Sequence, residues 1–525
     1  MKKIFKTLIF VVTITLFITS CQDDLNLSPI DPDSFTQEDV FASANDAKGA
    51  LAKLYAGLAL TGQEGPAGQP DIADIDEGFS QFSRMLFNLN VLTTDEAVVG
   101  WGDPGLPDLH AMSWSSSNDF TEAMYSRLAQ VVSFSNSFIK NASLLDQDTE
   151  VQSYLAEARF LRAYAYYNLM DLYANVPLTI DISTDLPLQS NRTEIFAFVE
   201  SELLEIQDLL KSSGANEYGR VDQVAAWALL SKLYLNAEVW IGDAKYTECV
   251  TFSNNVMNSS YSINTNDANN NGTSYDELFL ADNDTNGAQN EFIFALNFDG
   301  LQSQTYGGTT FLVHAAIGGT MNAADFGVNG GWGGLRTTKG LVDKFESEDQ
   351  RGMFHTDGQS LEIEKIPPFK EGYAISKFKN VDSNGNAGSD SGGDFVDTDL
   401  PLIRLAEIYL NYSEASLRGG GGDLGLASSK INELRERAYG DNSGNISSGD
   451  LTLDFILNER SRELYWEGQR RTDLVRYNYF TTNSYLWPFK GDVPNGTSVD
   501  QFRNIFPLPT NVLSTNPNLT QNIGY

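Results

Sequence analysis

The sequence predicts a mainly α protein: a tetratricopeptide-like helical repeat scaffold that carries an irregular, loop-rich ligand-binding region. Three observations lead there. Apolar residues recur at spacings of three and four through residues 39–260 and again through 398–480. The stripes include small residues such as Ala225, Ala226 and Ala237, which let neighbouring helices approach closely, and short loops join them into antiparallel pairs. Between the two helical stretches, residues 261–397 are rich in Gly, Asn and Asp and show only short strand-like runs.

Taken in order, the chain begins with a targeting segment. Lys2, Lys3 and Lys6 precede an apolar run from Leu8 to Ile18, too short for a span of about 20 residues and suited to a signal-peptide core. Cys21 follows Thr19-Ser20 where a lipoprotein signal places its acylated cysteine, and the polar Gln22-Asp23-Asp24 after it cannot line a core. Residues 1–20 therefore read as signal peptide and 21–38 as a lipidated tether. Cys249 is then the one thiol left, so no internal disulfide is expected; between Tyr246 and Val250 it reads as a small core residue. Lys and Arg number 35 against 70 Asp and Glu, a net charge of −35, or −38 without the three leader lysines. Such a surface repels nucleic acid and polyanions and favours a neutral ligand.

Helical periodicity runs through Val40, Ala44, Ala47, Leu51, Leu54 and Leu58, breaks over Thr61–Asp76, and returns strongly over Val151–Tyr173. Further helices are expected over Glu194–Leu210, Asp222–Glu238 and Ala244–Val256, then over Leu402–Leu417, Leu424–Arg437 and Phe455–Tyr465. Trp227, Leu230 and Tyr234, followed by Ala244, are compatible with a degenerate tetratricopeptide unit. Glu291–Leu296 and Ala374–Phe378 are the strand-like runs. Residues 261–397 and the proline-containing 481–525 are expected to be irregular, capping the scaffold and supplying binding loops.

Chemistry comes next. His110, His314 and His355 share no short motif, so no zinc site of usual spacing exists. Asp267–Gly272 and Asp282–Gly287 imitate the start of a calcium-binding loop but present Leu278 and Ile293 where a bidentate Glu is required; Asn/Gly turns are favoured over a weak Ca2+ site, and no cofactor is expected. No nucleophile elbow, phosphate loop or dinucleotide fingerprint occurs. Glu459 and Glu463 are spaced as a glycosidase pair could be, but Arg460, Arg462, Arg470 and Arg471 around them would depress their pKa values, where a general acid needs a raised one. Asn458–Arg471 reads as an ion-pair network, and the protein as a non-enzyme. A surface glycoside hydrolase and a non-catalytic adhesin or structural lipoprotein are the alternatives.

Aromatics in the loops are more suggestive. Trp101 lies in Gly-Trp-Gly-Asp-Pro-Gly, Trp332 in Asn-Gly-Gly-Trp-Gly-Gly, and Tyr306 precedes Gly307-Gly308. Rings with so little local cover either plug a neighbouring surface or offer flat platforms, which suit the apolar faces of sugars.

Two long motifs and an ending carry a resemblance. Ala156-Glu157-Ala158-Arg159-Phe160-Leu161-Arg162-Ala163-Tyr164 with Asp171-Leu172-Tyr173 and Pro177 is the first. Asn458-Glu459-Arg460-Ser461-Arg462-Glu463-Leu464 with Glu467 to Arg476 is the second, and Phe506-Pro507-Leu508-Pro509 through Asn516-Pro517 to Tyr525 is the ending. These resemble the SusD/RagB family over nearly the whole mature chain. The resemblance implies a Bacteroidota outer-membrane lipoprotein, facing outside, that lids a TonB-dependent transporter (a SusC-like β-barrel) and delivers glycans to it, on four tetratricopeptide-like helix pairs. It is closer still to the family's starch-binding founder, whose aromatic arc corresponds to Trp101, Tyr306 and Trp332, with Arg84 as a matching polar residue. This chain departs from it with Val99 in place of a second Trp and with a loop, Gly102-Asp103-Pro104-Gly105, one residue shorter. The expected ligand is a neutral glucan, α-linked or laminarin-like β-1,3-linked, with Arg84 and Asp103 as hydroxyl contacts.

Overall fold

The computed structural model describes residues 40–525; Cys21 and the leader and tether readings lie outside the described residues. Helices of seven or more residues are α1 (Ala44–Ala59), α2 (Phe82–Asn90), α3 (Asp119–Ala142), α4 (Thr149–Tyr173), α5 (Arg192–Ile206) and α6 (Gln223–Leu235). They continue as α7 (Tyr246–Met257), α8 (Gly308–Ala316), α9 (Leu405–Ala415), α10 (Leu424–Tyr439), α11 (Leu453–Leu464) and α12 (Arg470–Arg476). The chain stacks them in sequence: α3 on α4, α4 on α5, α5 on α6, α6 on α7, α7 on α9, and α9 on α10 and α11, with α1 against α3 and α4. The starts are chemically marked. Asn118, Asp148, Asp222, Asp423 and Thr452 each accept backbone N–H groups at an N-terminus, and Asn191 with Glu194 closes a capping box on α5. Each cap contributes about 1 kcal/mol.

Most of α4 is buried, because helices pack on it from several sides, and its charged residues are paired. Glu157 accepts from Tyr55 Oη and Arg220 Nε, Arg159 and Arg162 reach Glu202, and Asp171 receives Arg471 and Thr472. Cys249 is fully buried among α6 and α9 contacts, and burial pushes its thiol up to about 12, as a core thiol requires.

Two elements differ from expectation. Leu400–Arg404 is not helix but a buried strand, antiparallel to Phe292–Leu296, and α9 starts only at Leu405. Apolar runs of this length suit either structure, and a partner more than a hundred residues away decided it. Ala374–Ile375 is likewise a two-residue strand that ends before Phe378. Four helices were not anticipated: α2, the 24-residue α3, α8, which lies within the glycine-rich stretch, and the short α12. In α3 the stripe of Phe120, Met124, Leu128, Val131 and Phe138 is interrupted by Ser135, and that dilution hides its period.

The Asn/Gly turns behave as turns. Asp267 accepts the amides of Asn271 and Gly272, and Asp282 accepts Ser383 N and Oγ. Among the described residues no helix is long and apolar enough to cross a membrane.

Behind α11 lies a buried charge network. Glu459 accepts from Arg351, Arg435 and Arg462; Glu463 accepts from Arg351, Arg404 and Arg437; Arg404 also reaches Glu291 and Glu467. Of the arginines expected from the local sequence, only Arg462 serves these two acids. Arg460 pairs with Asp473, Arg470 with Asp95 and Arg471 with Asp171. The direction holds: despite burial, Arg351, Arg462 and Arg435 keep Glu459 down at about 2, and Arg437 and Arg404 hold Glu463 lower still. Neither carboxylate is accessible to a substrate.

Other acids go the opposite way. Burial pushes the carboxyls of Glu96, Glu277 and Asp399 up to about 7. A raised acid holds its proton more tightly folded than unfolded, so it contributes stability below about pH 4.4 that is lost as pH rises toward 7. Glu459 and Glu463 contribute stability above about pH 4.4 that is lost as pH falls through their depressed values. The thermal midpoint is therefore expected to peak near pH 5 and to fall on both sides. A melting series from pH 3 to 8 that rises monotonically would contradict this assignment.

Candidate functional site

Gln81 organises the site. Its side-chain carbonyl accepts from Arg84 N and Ser83 Oγ at the start of α2 and from Gly308 N at the start of α8, while its amide donates to Leu58 O at the end of α1. Gly307 is required beside it, since a Cβ there would stand 2.3 Å from Gln81 Cβ. Gly308 adopts φ +56°, with the Phe298 ring in the space a side chain would need. Tyr306 thus projects just ahead of α8 and is 37% exposed.

The far end of α8 positions Trp332. The last carbonyls of a helix lack intrahelical partners; here Trp332 N donates to His314 O, Gly334 N to Ala315 O and Gly333 N to Ile317 O. The indole then stacks on His314, centroids 4.9 Å apart and planes 16° apart. His314 Nδ1 pairs with Gly330 O, and burial lowers its pKa, so a neutral ring backs the indole. Trp101 lies against the backbone of Gly334, where a Cβ would come 2.2 Å from its ring, and donates through Nε1 to Trp332 O at 3.3 Å.

The three rings form one row. Trp101 and Trp332 centroids are 6.4 Å apart, as are those of Trp332 and Tyr306. The glycines around them serve close backbone approach, so both tryptophans are half-buried and each has one side committed to protein.

Trp332 and Tyr306 line a cleft of about 540 Å³ together with Arg84 and Asp103. Trp101 stands next in the row, behind Trp332, outside that lining. The Arg84 guanidinium lies 4.5 Å over the Phe311 ring and donates to Gly78 O and to Tyr306 O, clipping the loop before α2 to the tyrosine. Burial lowers its pKa to about 10, opposed by the charges of Asp76 and Asp103, so it remains a cation at neutral pH. Asp103 is exposed at the mouth on its short loop. All five residues expected from the sequence thus fall in one neighbourhood, four of them on the cleft itself.

Sequence reasoning missed part of the lining. Asp76 and Asp119 add carboxylates, and Phe79 and Phe120, with centroids 4.8 Å apart, add an aromatic pair. Asp119 and Phe120 open α3, so the unread helix concealed them.

Comparison with known proteins agrees with this architecture. The SusD family profile matches residues 367–525, and a profile described as "Starch-binding associating with outer membrane" matches residues 47–235. The starch-binding protein SusD of Bacteroides thetaiotaomicron is 35% identical, over 97% of this chain and 96% of that protein. A SusD-like protein of Formosa agariphila is 24% identical over 79% of this chain and 82% of its own length. The surface glycan-binding protein A of Bacteroides fluxus superposes with a TM-score of 0.70 over 92% of this chain and 100% of that one, at 20% identity. A SusD superfamily protein of Parabacteroides distasonis also gives 0.70, at 19% identity, over 94% of this chain and 100% of that one. The match to SusD along almost the whole of both chains places this chain in the SusD family of non-catalytic glycan-binding proteins.

Proposed function

We propose that this protein captures a neutral glucan, an α-glucan or a laminarin-like β-1,3-glucan, in the cleft before Trp332 and Tyr306. It delivers the glucan to a TonB-dependent outer-membrane transporter, held at the cell surface by lipid on Cys21. The row of three rings at a cleft carries this reading. An arc of flat apolar faces complements a curved chain better than a flat β-1,4 chain, while Arg84 and Asp103 supply hydroxyl contacts. The name of the Bacteroides relative, a starch-binding protein, supports α-glucan first. Three carboxylates (Asp76, Asp103 and Asp119) around the single Arg84 also make the cleft hostile to a polyanion.

Calorimetric titration of a soluble form lacking residues 1 to 21 tests it. Maltooligosaccharides or laminarin should bind with about −5 to −7 kcal/mol, tens to hundreds of micromolar, because an open cleft loses part of its contact energy to ordering. Cellooligosaccharides should bind poorly. Tight binding of alginate without glucan binding would overturn the ligand class.

Gly334→Ala probes the row from behind. The new methyl group would press on Trp101 from 2.2 Å, so the ring must tilt. Glucan affinity is expected to fall about tenfold, the loss of part of one hot-spot contact, while the melting temperature changes little. Unchanged affinity would show that Trp101 makes no contribution to the ligand face.

A further inference from the structure

The three rings of the row are not coplanar. The planes of Trp101 and Trp332 meet at 46° and those of Trp332 and Tyr306 at 55°, so each platform is tilted from the one before it. A flat sugar ribbon needs coplanar platforms, whereas a chain that curls presents its faces at successive angles. The angle between Trp332 and Tyr306 is braced by a turn, residues 389–397, that does not itself line the cleft.

Two carboxylates build this turn. Asp390 accepts the backbone amides of Gly392, Asp394 and Phe395. Asp397 accepts from Ser389 N and Oγ, and from Gly300 N on the loop that leads to Tyr306. From that base the turn reaches both rings. Phe395, itself buried, stands against Tyr306 with centroids 5.4 Å apart and planes 47° apart. Asn329, on the loop that carries Trp332, makes three hydrogen bonds to the turn. Its backbone N–H donates to Gly393 O at 3.1 Å, and its side-chain amide donates to Gly392 O at 2.9 Å and to Asp394 Oδ1 at 2.6 Å. Gly393 adopts φ +70°, and a Cβ there would stand 2.8 Å from Asn329 N, so this approach requires glycine. The turn is also tied to α8 between the two rings, since Val396 N donates to Thr310 Oγ1 and Thr309 Oγ1 donates to Thr398 O.

We infer that the turn 389–397 sets the tilt between Tyr306 and Trp332 and thereby selects the curvature of the glycan, with Asn329, Asp394 and Phe395 as positioning residues that act through the two rings. This rests on the glucan reading above and adds to it what decides the shape of chain accepted. The test titrates maltoheptaose and β-cyclodextrin, a closed ring of the same sugar, in a calorimeter. An open chain adjusts to rings that have shifted, whereas a closed one pays the full mismatch. Asn329→Ala removes two of the three bonds to the turn. Asn329 and Asp394 are both exposed, so the fold is retained. β-Cyclodextrin affinity is expected to fall about tenfold and maltoheptaose affinity about twofold. Asp394→Ala should shift the ratio in the same direction, and Asp394→Asn, which keeps the acceptor oxygen without the charge, should restore it. The double variant Asn329→Ala/Asp394→Ala should lose no more than Asn329→Ala alone, because both act through one contact. Ring position is read without sugar from the fluorine resonance of 5-fluorotryptophan at Trp332, assigned by its absence in Trp332→Phe. It should shift or broaden in Asn329→Ala and Asp394→Ala but not in Asp394→Asn. Equal losses for the two sugars, or Asp394→Asn as weak as Asp394→Ala, overturn the role of the turn and leave the glucan reading standing. If the unaltered protein binds neither sugar, the α-glucan reading fails, and the fluorine resonance decides the turn: a line unmoved by Asn329→Ala overturns it, and a displaced line upholds it.

Discussion

Glu463→Ala is expected to destabilise the protein by about 3–5 kcal/mol, a large share of the 5–15 kcal/mol that a folded domain commonly possesses. Glu463 is fully buried, and its carboxylate receives Arg404 at 2.6 Å and Arg351 at 3.0 Å as well as Arg437. Removing it leaves three guanidinium groups sharing Asp349, Glu291, Glu459 and Glu467, in a place that water does not reach. A buried charge without its counter-ion costs several kcal/mol, which is why breaking such a network is worse than never having built it. Glu463→Gln keeps one acceptor oxygen but sets an amide donor against arginine donors, so it should lie between Ala and the parent. Urea unfolding followed by far-ultraviolet circular dichroism measures the difference. A loss below about 1 kcal/mol for the Ala variant would mean that the remaining four carboxylates satisfy the arginines unaided.

Trp332→Ala is expected to weaken glucan binding by about thirtyfold or more, the magnitude of a hot-spot aromatic. That takes a complex of tens to hundreds of micromolar into the millimolar range, beyond calorimetric detection. Trp332 sits at the centre of the row, between Trp101 and Tyr306, and its carbonyl holds the Trp101 indole. Losing the ring removes one sugar platform and the ring contact that flanks Trp101, while the backbone carbonyl that accepts from the Trp101 indole stays in place. The fold should survive, because the indole is half-buried and contacts the core mainly through His314; about 1–2 kcal/mol of stability is expected to go with it. A pure plug would behave the other way round, with the melting temperature falling and glucan affinity unchanged. Full affinity after replacing both Trp101 and Trp332 by Ala would overturn the site.

Much of the scaffold was legible because a helix is a local object. The stripe of Val151–Tyr173 and that of Asp222–Glu238 state their period within two turns, and the helices found, Thr149–Tyr173 and Gln223–Leu235, agree within a few residues. Where a partner far along the chain chooses, local reading fails. Leu400–Arg404 became strand because Phe292–Leu296 offered it a ladder, and nothing in five apolar-rich residues announces that.

For the site, ring identity and glycine flanks were visible in the sequence, and so Trp101, Tyr306 and Trp332 could be named before any coordinates; Arg84 came only from the family resemblance, and Asp103 as a candidate hydroxyl contact on the neighbouring loop. The meaning of the glycines was not visible: Gly331 and Gly334 are small because Ile317 O and the Trp101 ring occupy the space a side chain would take. Likewise an arginine-rich motif around Glu459 and Glu463 was enough to deduce depressed pKa values. Four of the five arginines that depress them (Arg351, Arg404, Arg435 and Arg437) come from other elements, and only packing could choose them. The sequence by itself thus determined the helical scaffold, the glycine-flanked aromatic loops and the sign of the chain's electrostatics, because periodicity, residue chemistry and net charge are carried along the chain. The tertiary structure alone decided which strand pairs, which arginine meets which acid and which face of each ring stays open. Those depend on contacts between residues distant in sequence, where shape and burial select among partners of equal chemistry.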